Sequence, residues 1–327
     1  MTDKYKNNGL IIIKPHKGDF IFGDDNKLDR SITMNGNWIP YLPTREKQHS
    51  VYFDTMGCVS FSAINVLEII FTYLIKNNKL SKESVDWLKK YNYFDINGFV
   101  NFSDRAIAKL SGTTRAGNSG QAVADTIRHS GLVSEFMWNY PTAQRTPVFD
   151  WNDFYTDVPD KVIQQGLEFL ERFEIQYEQV YYKKFDEAIL HSPIQVYIST
   201  RSEMIDGVLQ RTNNKVNHAV VKPTLEPINN YYPIFDTYEL SNNYIRKVAL
   251  DFKYHTTGII YNIIEKNMSD CKVLKDKNSS EVGVLFPAHN SSAMKSYLKN
   301  IGRDVPTKED ESLDWDKVLL DGEYIIK

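Results

Sequence analysis

Gly57-Cys58-Val59-Ser60-Phe61-Ser62-Ala63-Ile64-Asn65-Val66-Leu67-Glu68-Ile69-Ile70-Phe71-Thr72-Tyr73-Leu74-Ile75 is the stretch on which the fold turns. Apolar side chains at Phe61, Ile64, Leu67, Ile70, Phe71, Leu74 and Ile75 recur at helical spacing, which predicts one long helix beginning at Cys58. Asp54 or Thr55 is expected to cap its start, and Asn77-Asn78 to end it. The apolar run is short for a membrane span and carries Glu68 at its middle, so it reads as a core helix.

Outward from that helix, a second is expected from Ser81 through Val85, Trp87 and Leu88. Ser103 should cap a third over 104–110, and a fourth should run over 121–130 to Gly131. The aromatic- and proline-rich stretch that follows, to Pro159, predicts ordered loop, and 161–172 and 185–190 predict two more helices. The period then changes: 194–198, 219–221, 232–235, 247–252 and 258–263 read as strands. Helices first and strands second make an α+β fold of two packed subdomains, with the cleft between them as the natural substrate site. Residues 1–36 read as an arm or leader with one short strand over 10–14, and 37–255 as the main domain. Residues 256–327 read as an appended module, with a polar linker over 275–280, apolar residues at 282–286, a helix over 293–300 and a strand over 324–326.

The composition sets outer bounds. With 327 residues, 42% hydrophobic and 25% charged, the chain can bury a full core. A net charge of −3, with no run of five like charges, gives no footprint for nucleic acid. Two cysteines, Cys58 and Cys271, make no disulfide framework and no CxxC pair, so neither a structural zinc nor any other metal or cofactor is expected. The apolar run Leu10-Ile11-Ile12-Ile13 is too short for a signal-peptide core, which favours a cytoplasmic or virion-associated protein.

The polar residues with chemistry to offer are few and well placed. Cys58 opens the long helix, His218 lies in Asn217-His218-Ala219-Val220, and Asp236 follows Ile234-Phe235. A thiol is a good nucleophile only as thiolate, and a helix N-terminus and a neighbouring imidazolium both favour that form.

At these residues the sequence resembles the papain-like (C1-type) cysteine peptidases. Cys58-Val59-Ser60-Phe61-Ser62 is similar to the family's Cys-Trp-Ala-Phe-Ser helix start, and Gly117-Asn118-Ser119-Gly120 to its Asn-Gly-Gly cleft segment. Gly131-Leu132-Val133 with Tyr140-Pro141, Ser192-Pro193-Ile194-Gln195-Val196 and Asn217-His218-Ala219-Val220 follow in the family's order, over roughly residues 37 to 250. The departures are Val59 for the family's tryptophan, Asp236-Thr237-Tyr238-Glu239 for Asn-Ser-Trp-Gly, and Tyr52 where the oxyanion glutamine stands. Gln48 is the nearest replacement for that glutamine, at the cost of a four-residue insertion.

The resemblance implies a papain-like fold with Cys58 on the central helix and His218 and Asp236 on an antiparallel β-rich half. It implies Cys58 as nucleophile, His218 as acid and base, Asp236 as the residue orienting the ring, and Gln48 with the Cys58 N–H as oxyanion donors. Gly117, Asn118, Ser119, Gly120 and Asn217 would line the site for a peptide or protein substrate. Two alternatives stay open: a thiol acyl-transferase or cell-wall peptide hydrolase, and an inactive papain-fold protein with a binding or structural role. A further hypothesis is that residues 1–36 occlude the cleft as a leader does. The leading reading requires the sulfur and the imidazole to meet across an open groove, and the two atoms in different regions, or the sulfur sealed inside the core, would end it.

Overall fold

In the computed structural model of this protein, α1 (Cys58–Lys76) is buried at every position from Cys58 to Leu74. It is long and apolar enough to cross a membrane by length and composition alone, yet it is packed inside the protein. A helix apolar on nearly every side must be enclosed on every side, and the rest of the main unit is built around it. The structure describes residues 9–15, 19–23, 30, 32–44, 53–138, 150–238 and 242–266, with three short strands beyond. The expected helix over 293–300 and Gln48 lie outside the described residues.

Polar residues of α1 such as Ser62 and Glu68 find partners within the protein, while the buried Ser60 hydroxyl and Asn65 amide make no hydrogen bond among the described residues. The Ser62 hydroxyl donates to the Cys58 carbonyl at 2.7 Å, and Glu68 Oε1 accepts the Phe102 N–H at 2.6 Å. Around α1 lie α2 (Lys82–Lys90), α3 (Asp104–Leu110) and α4 (Gly120–Ser130). Each begins at a serine, Ser81, Ser103 and Ser119, whose side chain accepts a first-turn N–H. Where loop was expected before Pro159, Asp150 caps a single helical turn, α5 (Trp151–Phe154); its carboxylate accepts the N–H groups of Asn152 and Asp153. Then come α6 (Asp160–Arg172) and α7 (Phe185–Ala188). Phe71, Phe102, Phe169 and Tyr93 close the helical core edge to face, with ring centroids 5.4 Å apart for Phe71 and Phe102 and 5.6 Å for Phe71 and Phe169.

The second half is an eight-stranded sheet. Its strands are β1 (Phe173–Tyr181), β2 (Ile194–Ile198), β3 (Met204–Ile205), β4 (Val208–Leu209), β5 (His218–Lys222), β6 (Tyr232–Phe235), β7 (Ile245–Val248) and β8 (Thr257–Glu265), in the order β1-β8-β2-β5-β6-β7-β4-β3. The central pairs β8–β2, β2–β5, β5–β6 and β6–β7 are antiparallel, and β4 runs parallel to β7. The fold class is α+β.

Some elements were not anticipated. β1 follows α6 with no Gly, Pro or Asn between them, so nothing in the sequence marks where the period changes from helix to strand. β3 and β4 form a hairpin around Asp206-Gly207, both at positive φ (50° and 75°), the turn in which Asp-Gly is favoured. The strand expected over 10–14 is a single bridge at Leu10, opposite Asn118, with extended backbone after it.

The chain divides into two compact units, 1–170 with 174–264, and 171–173 with 265–327. In the smaller, β9 (Cys271–Asp276) pairs antiparallel with β10 (Leu285–Pro287) on one side and β11 (Tyr324–Ile326) on the other. In the larger, the N-terminal segments are tied backbone to backbone. Phe22 N–H donates to Gln179 O at 2.9 Å, Met34 N–H to Leu190 O at 2.9 Å, and Trp38 N–H to Pro223 O at 2.8 Å. The Trp38 indole is fully buried and donates to Ile189 O at 2.8 Å.

Candidate active site

Cys58 is the first residue of α1, and its N-cap is Gly57. The expected caps act elsewhere. Asp54 Oδ1 accepts the Met56 N–H at 2.9 Å, and Thr55 Oγ1 accepts the Gly57 N–H at 3.3 Å, which folds the chain into tight turns just before the helix. Among the described residues no side chain caps the first turn of α1, whose N–H groups lack intrahelical acceptors.

His218 opens β5, opposite Ile198 of β2. Asp236 directly follows β6, whose Phe235 lies opposite Val221. In an antiparallel pair, continuing that register brings residue 238 opposite 218 and leaves 236 on the diagonal, within reach of an imidazole. The contacts agree. The His218 Nε2–H donates to Asp236 Oδ1 at 2.8 Å, and the Tyr238 ring stands edge-on to the imidazole with centroids 5.1 Å apart. The other ring nitrogen, Nδ1, has no hydrogen-bond partner among the described residues. With Nε2 committed as a donor to a carboxylate, Nδ1 of the neutral ring carries the lone pair.

Asp236 is held on all sides. Its Oδ1 also accepts the Tyr238 N–H at 3.0 Å, and Arg246 Nε lies 3.0 Å from Oδ2. That last contact is an ion pair by distance, without the alignment of a hydrogen bond. Burial alone would raise this carboxyl's pKa. The charge and hydrogen bond of His218, then Arg246 and the Tyr238 N–H, outweigh it and hold the pKa at about 2.

The sulfur meets the same strand from the helix side: the backbone N–H of Ala219, next to His218, is within hydrogen-bonding reach of the Cys58 thiol. Gln195 of β2 binds the two layers together, its Nε2 donating to Val59 O and to Ser62 Oγ, each at 2.7 Å. Tyr155, Tyr197 and Tyr238 all lie close enough to Cys58 to feel a charge on its sulfur were it ionised. Tyr155 and Tyr238 pin the turn before the helix, their hydroxyls donating to Thr55 O at 2.7 Å and to Asp54 Oδ1.

The open groove expected at the sulfur is not what this conformation contains. Cys58 and His218 are each 0% exposed. Burial, with the charges of Asp54 and Asp236, pushes the thiol's pKa well above its usual value against the lowering effect of the Ala219 N–H. The thiol is protonated here. Beside it, Gly9 is wedged between the turn before Cys58 and the turn at Gly117: a Cβ on Gly9 would collide with the Met56 carbonyl, and one on Gly117 with Gly9. Both glycines are at positive φ (87° and 92°). Asn118 N–H donates to Gly9 O at 2.8 Å and Asn118 O accepts from Ile11 N–H at 2.7 Å, so the N-terminal segment pairs through a parallel bridge with the expected cleft segment.

The remaining candidates are accounted for in part. Ser119 caps α4, and a Cβ on Gly120 would collide with the Tyr197 hydroxyl. The Asn217 amide is committed to Thr200, Oδ1 accepting its N–H at 2.9 Å and Nδ2 donating to its hydroxyl at 3.0 Å. Sequence reasoning missed Arg246 and the surrounding tyrosines. For Tyr155 and Arg246 no local motif exists, because strand register and loop path alone bring them in. Among the described residues, no cluster of three or more His, Cys, Asp or Glu side chains is arranged to hold a metal.

No protein-family profile matches the sequence, and no curated protein matches it. Solved structures to which the chain is similar include procathepsin L2 from the larval midgut of Tenebrio molitor, at 12% identity and a TM-score of 0.48 over 78% of each chain. They also include the cysteine protease xylellain of Xylella fastidiosa, at 14% identity and 0.45 over 80% of this chain and 98% of that one. A third is the bromelain protease of Ananas comosus, at 14% identity and 0.44 over 69% of this chain and 97% of that one.

Proposed function

We propose that this chain is a papain-like cysteine peptidase, described here in a closed conformation. One observation carries the reading. His218 has one nitrogen committed to a buried carboxylate and the other without a hydrogen bond among the described residues, and the next residue's N–H reaches the thiol at the start of α1.

In the reaction, Nδ1 of His218 takes the Cys58 proton and the sulfur attacks the substrate carbonyl carbon, forming an S–C bond and an oxyanion. Asp236 holds the ring through Nε2–H and stabilises the imidazolium. The Cys58 N–H, at an uncapped helix start, donates to the oxyanion, with Gln48 as the proposed second donor. Collapse breaks the C–N bond, and the imidazolium protonates the leaving amine. Water, deprotonated by His218, then cleaves the thioester and restores the thiol.

This chemistry needs the 9–13 segment to leave Asn118, whose backbone N–H and C=O would then be offered to a peptide. The test is labelling of Cys58 by a thiol-directed activity probe, with hydrolysis of fluorogenic peptides, in the full chain and in a chain lacking residues 1–36. Labelling and turnover should rise on deletion and vanish in Cys58→Ala. Unchanged kinetics on deletion count against the occluding segment. Full burial of the thiol favours a second reading, a binding protein without activity, and a shortened chain that folds yet leaves Cys58 unlabelled supports it.

A further inference from the structure

Asp236 stands where the resemblance has an uncharged amide, and this site adds a cation to it. Arg246 lies on β7 opposite Ile234 of β6, two residues before Asp236 and on the same face of the sheet. That diagonal lets its side chain run along the sheet to Oδ2, 3.0 Å from Nε, while Oδ1 faces His218. The carboxylate is fully buried and the arginine mostly so, at 0% and 16% side-chain exposure. A buried carboxylate flanked by a single imidazole would be free to take a proton or to rotate. One with a guanidinium behind it is fixed in charge and in direction.

We propose that Arg246 is a positioning residue of this site: it keeps Asp236 ionised and turned with Oδ1 on Nε2–H, so that the imidazole offers Nδ1 to the thiol. The inference rests on the peptidase reading for its catalytic meaning, but the geometry it describes is testable without turnover. The groups facing Asp236 are His218 from β5, Arg246 from β7 and Tyr238 from the turn after β6. Cys58 at the start of α1 feels its charge, and Asp54 lies beyond, bound to the Tyr238 hydroxyl. Arg246 is the fixed cation of this set, since His218 carries charge only when protonated.

The test is the hydrogen-bonded ring N–H proton of His218, observed by NMR in the full chain and assigned by its loss in His218→Gln and Asp236→Asn. In Arg246→Gln that resonance should broaden at neutral pH, and its disappearance on acidification should move up by about one pH unit or more. Arg246→Lys, which keeps the charge, should restore it. A resonance unchanged in position and pH dependence in Arg246→Gln overturns the proposal, even if peptides are cleaved. If Arg246→Gln does not fold, the substitution is made on the Asp236→Asn background. With no carboxylate to hold, the added change should then cost far less stability than in the native background, and an equal cost overturns the proposal. In active enzyme the same substitution should lower kcat by up to about a hundredfold with little change in KM, as for a misplaced ring. A wild-type chain that labels and cleaves nothing defeats the peptidase reading instead and leaves the resonance test standing.

Discussion

Cys58 at the head of the central helix and Asp236 just after β6 are almost equally buried, at 0% and 1% exposure, and burial favours the neutral form of both, yet their pKa values move in opposite directions. The thiol has the backbone N–H groups of Ala219 and Val59 near it and two carboxylates within electrostatic range, so loss of water wins and the neutral form is favoured. The carboxylate has an imidazole, a guanidinium and an amide N–H, so its partners win and the charged form is favoured. The difference teaches that the sheet side of the candidate site is held by its own contacts in this closed conformation. The helix side depends on opening: water or a substrate must reach the sulfur before it ionises.

The sharpest break in that comparison is chemical. Cys58→Ala should remove peptide hydrolysis by at least roughly a thousandfold while the His218–Asp236 pair, followed by its ring N–H resonance, stays intact. Activity that survives would place the nucleophile elsewhere.

Next come the two pH limits, read by urea denaturation. Asp236 has its folded pKa lowered from 3.8 to about 2, so its contribution is full above 3.8 and is lost as pH falls towards 2. The wild type should lose stability over that window, and Asp236→Asn should lose less. Cys58 is raised above its ordinary 9.0, so its contribution is full below 9.0 and is lost as pH rises beyond it. Cys58→Ala should delay the onset of that alkaline fall and leave the acid limb alone. The part of the fall beyond the ordinary tyrosine range should remain, because buried tyrosines such as Tyr155 and Tyr197 are also raised. Acid limbs of equal slope in wild type and Asp236→Asn would contradict the lowered pKa.

Gln195→Leu tests the link between the two regions. Removing the amide that bonds to Val59 O and Ser62 Oγ should cost about 1–3 kcal/mol in chemical denaturation, with a slower thiol-labelling rate as the helix start shifts. Ser81→Ala, remote from both groups, should cost about 1 kcal/mol through its lost cap and leave labelling unchanged. An effect of Ser81→Ala on labelling would mean that the helix side responds to general loosening rather than to Gln195.

The helical half was legible because its signals are local. Serine caps stand just before α2, α3 and α4, and the apolar period of α1 needs no partner to be read. β1 and the β3–β4 hairpin were not read, one for want of a boundary residue and the other because two-residue strands carry no period. At the site, Cys58, His218 and Asp236 were each visible as residues, and the contact of His218 with Asp236 follows from β5–β6 register. The burial of the sulfur was not visible. Nothing near Cys58 in sequence says that Gly9 will lie between Met56 and Gly117.

The sequence by itself determined an apolar central helix with a thiol at its head, strands after helices, and a histidine and an aspartate each beside a strand, because periodicity and caps act over a few residues. Only the tertiary structure decided that the thiol is closed off and neutral, that Arg246 stands behind Asp236, and that the N-terminal segment pairs with Asn118. Those outcomes depend on desolvation and on cross-strand and long-range backbone contacts between residues far apart in the chain, whose strength is set by what surrounds a group rather than by its neighbours in sequence.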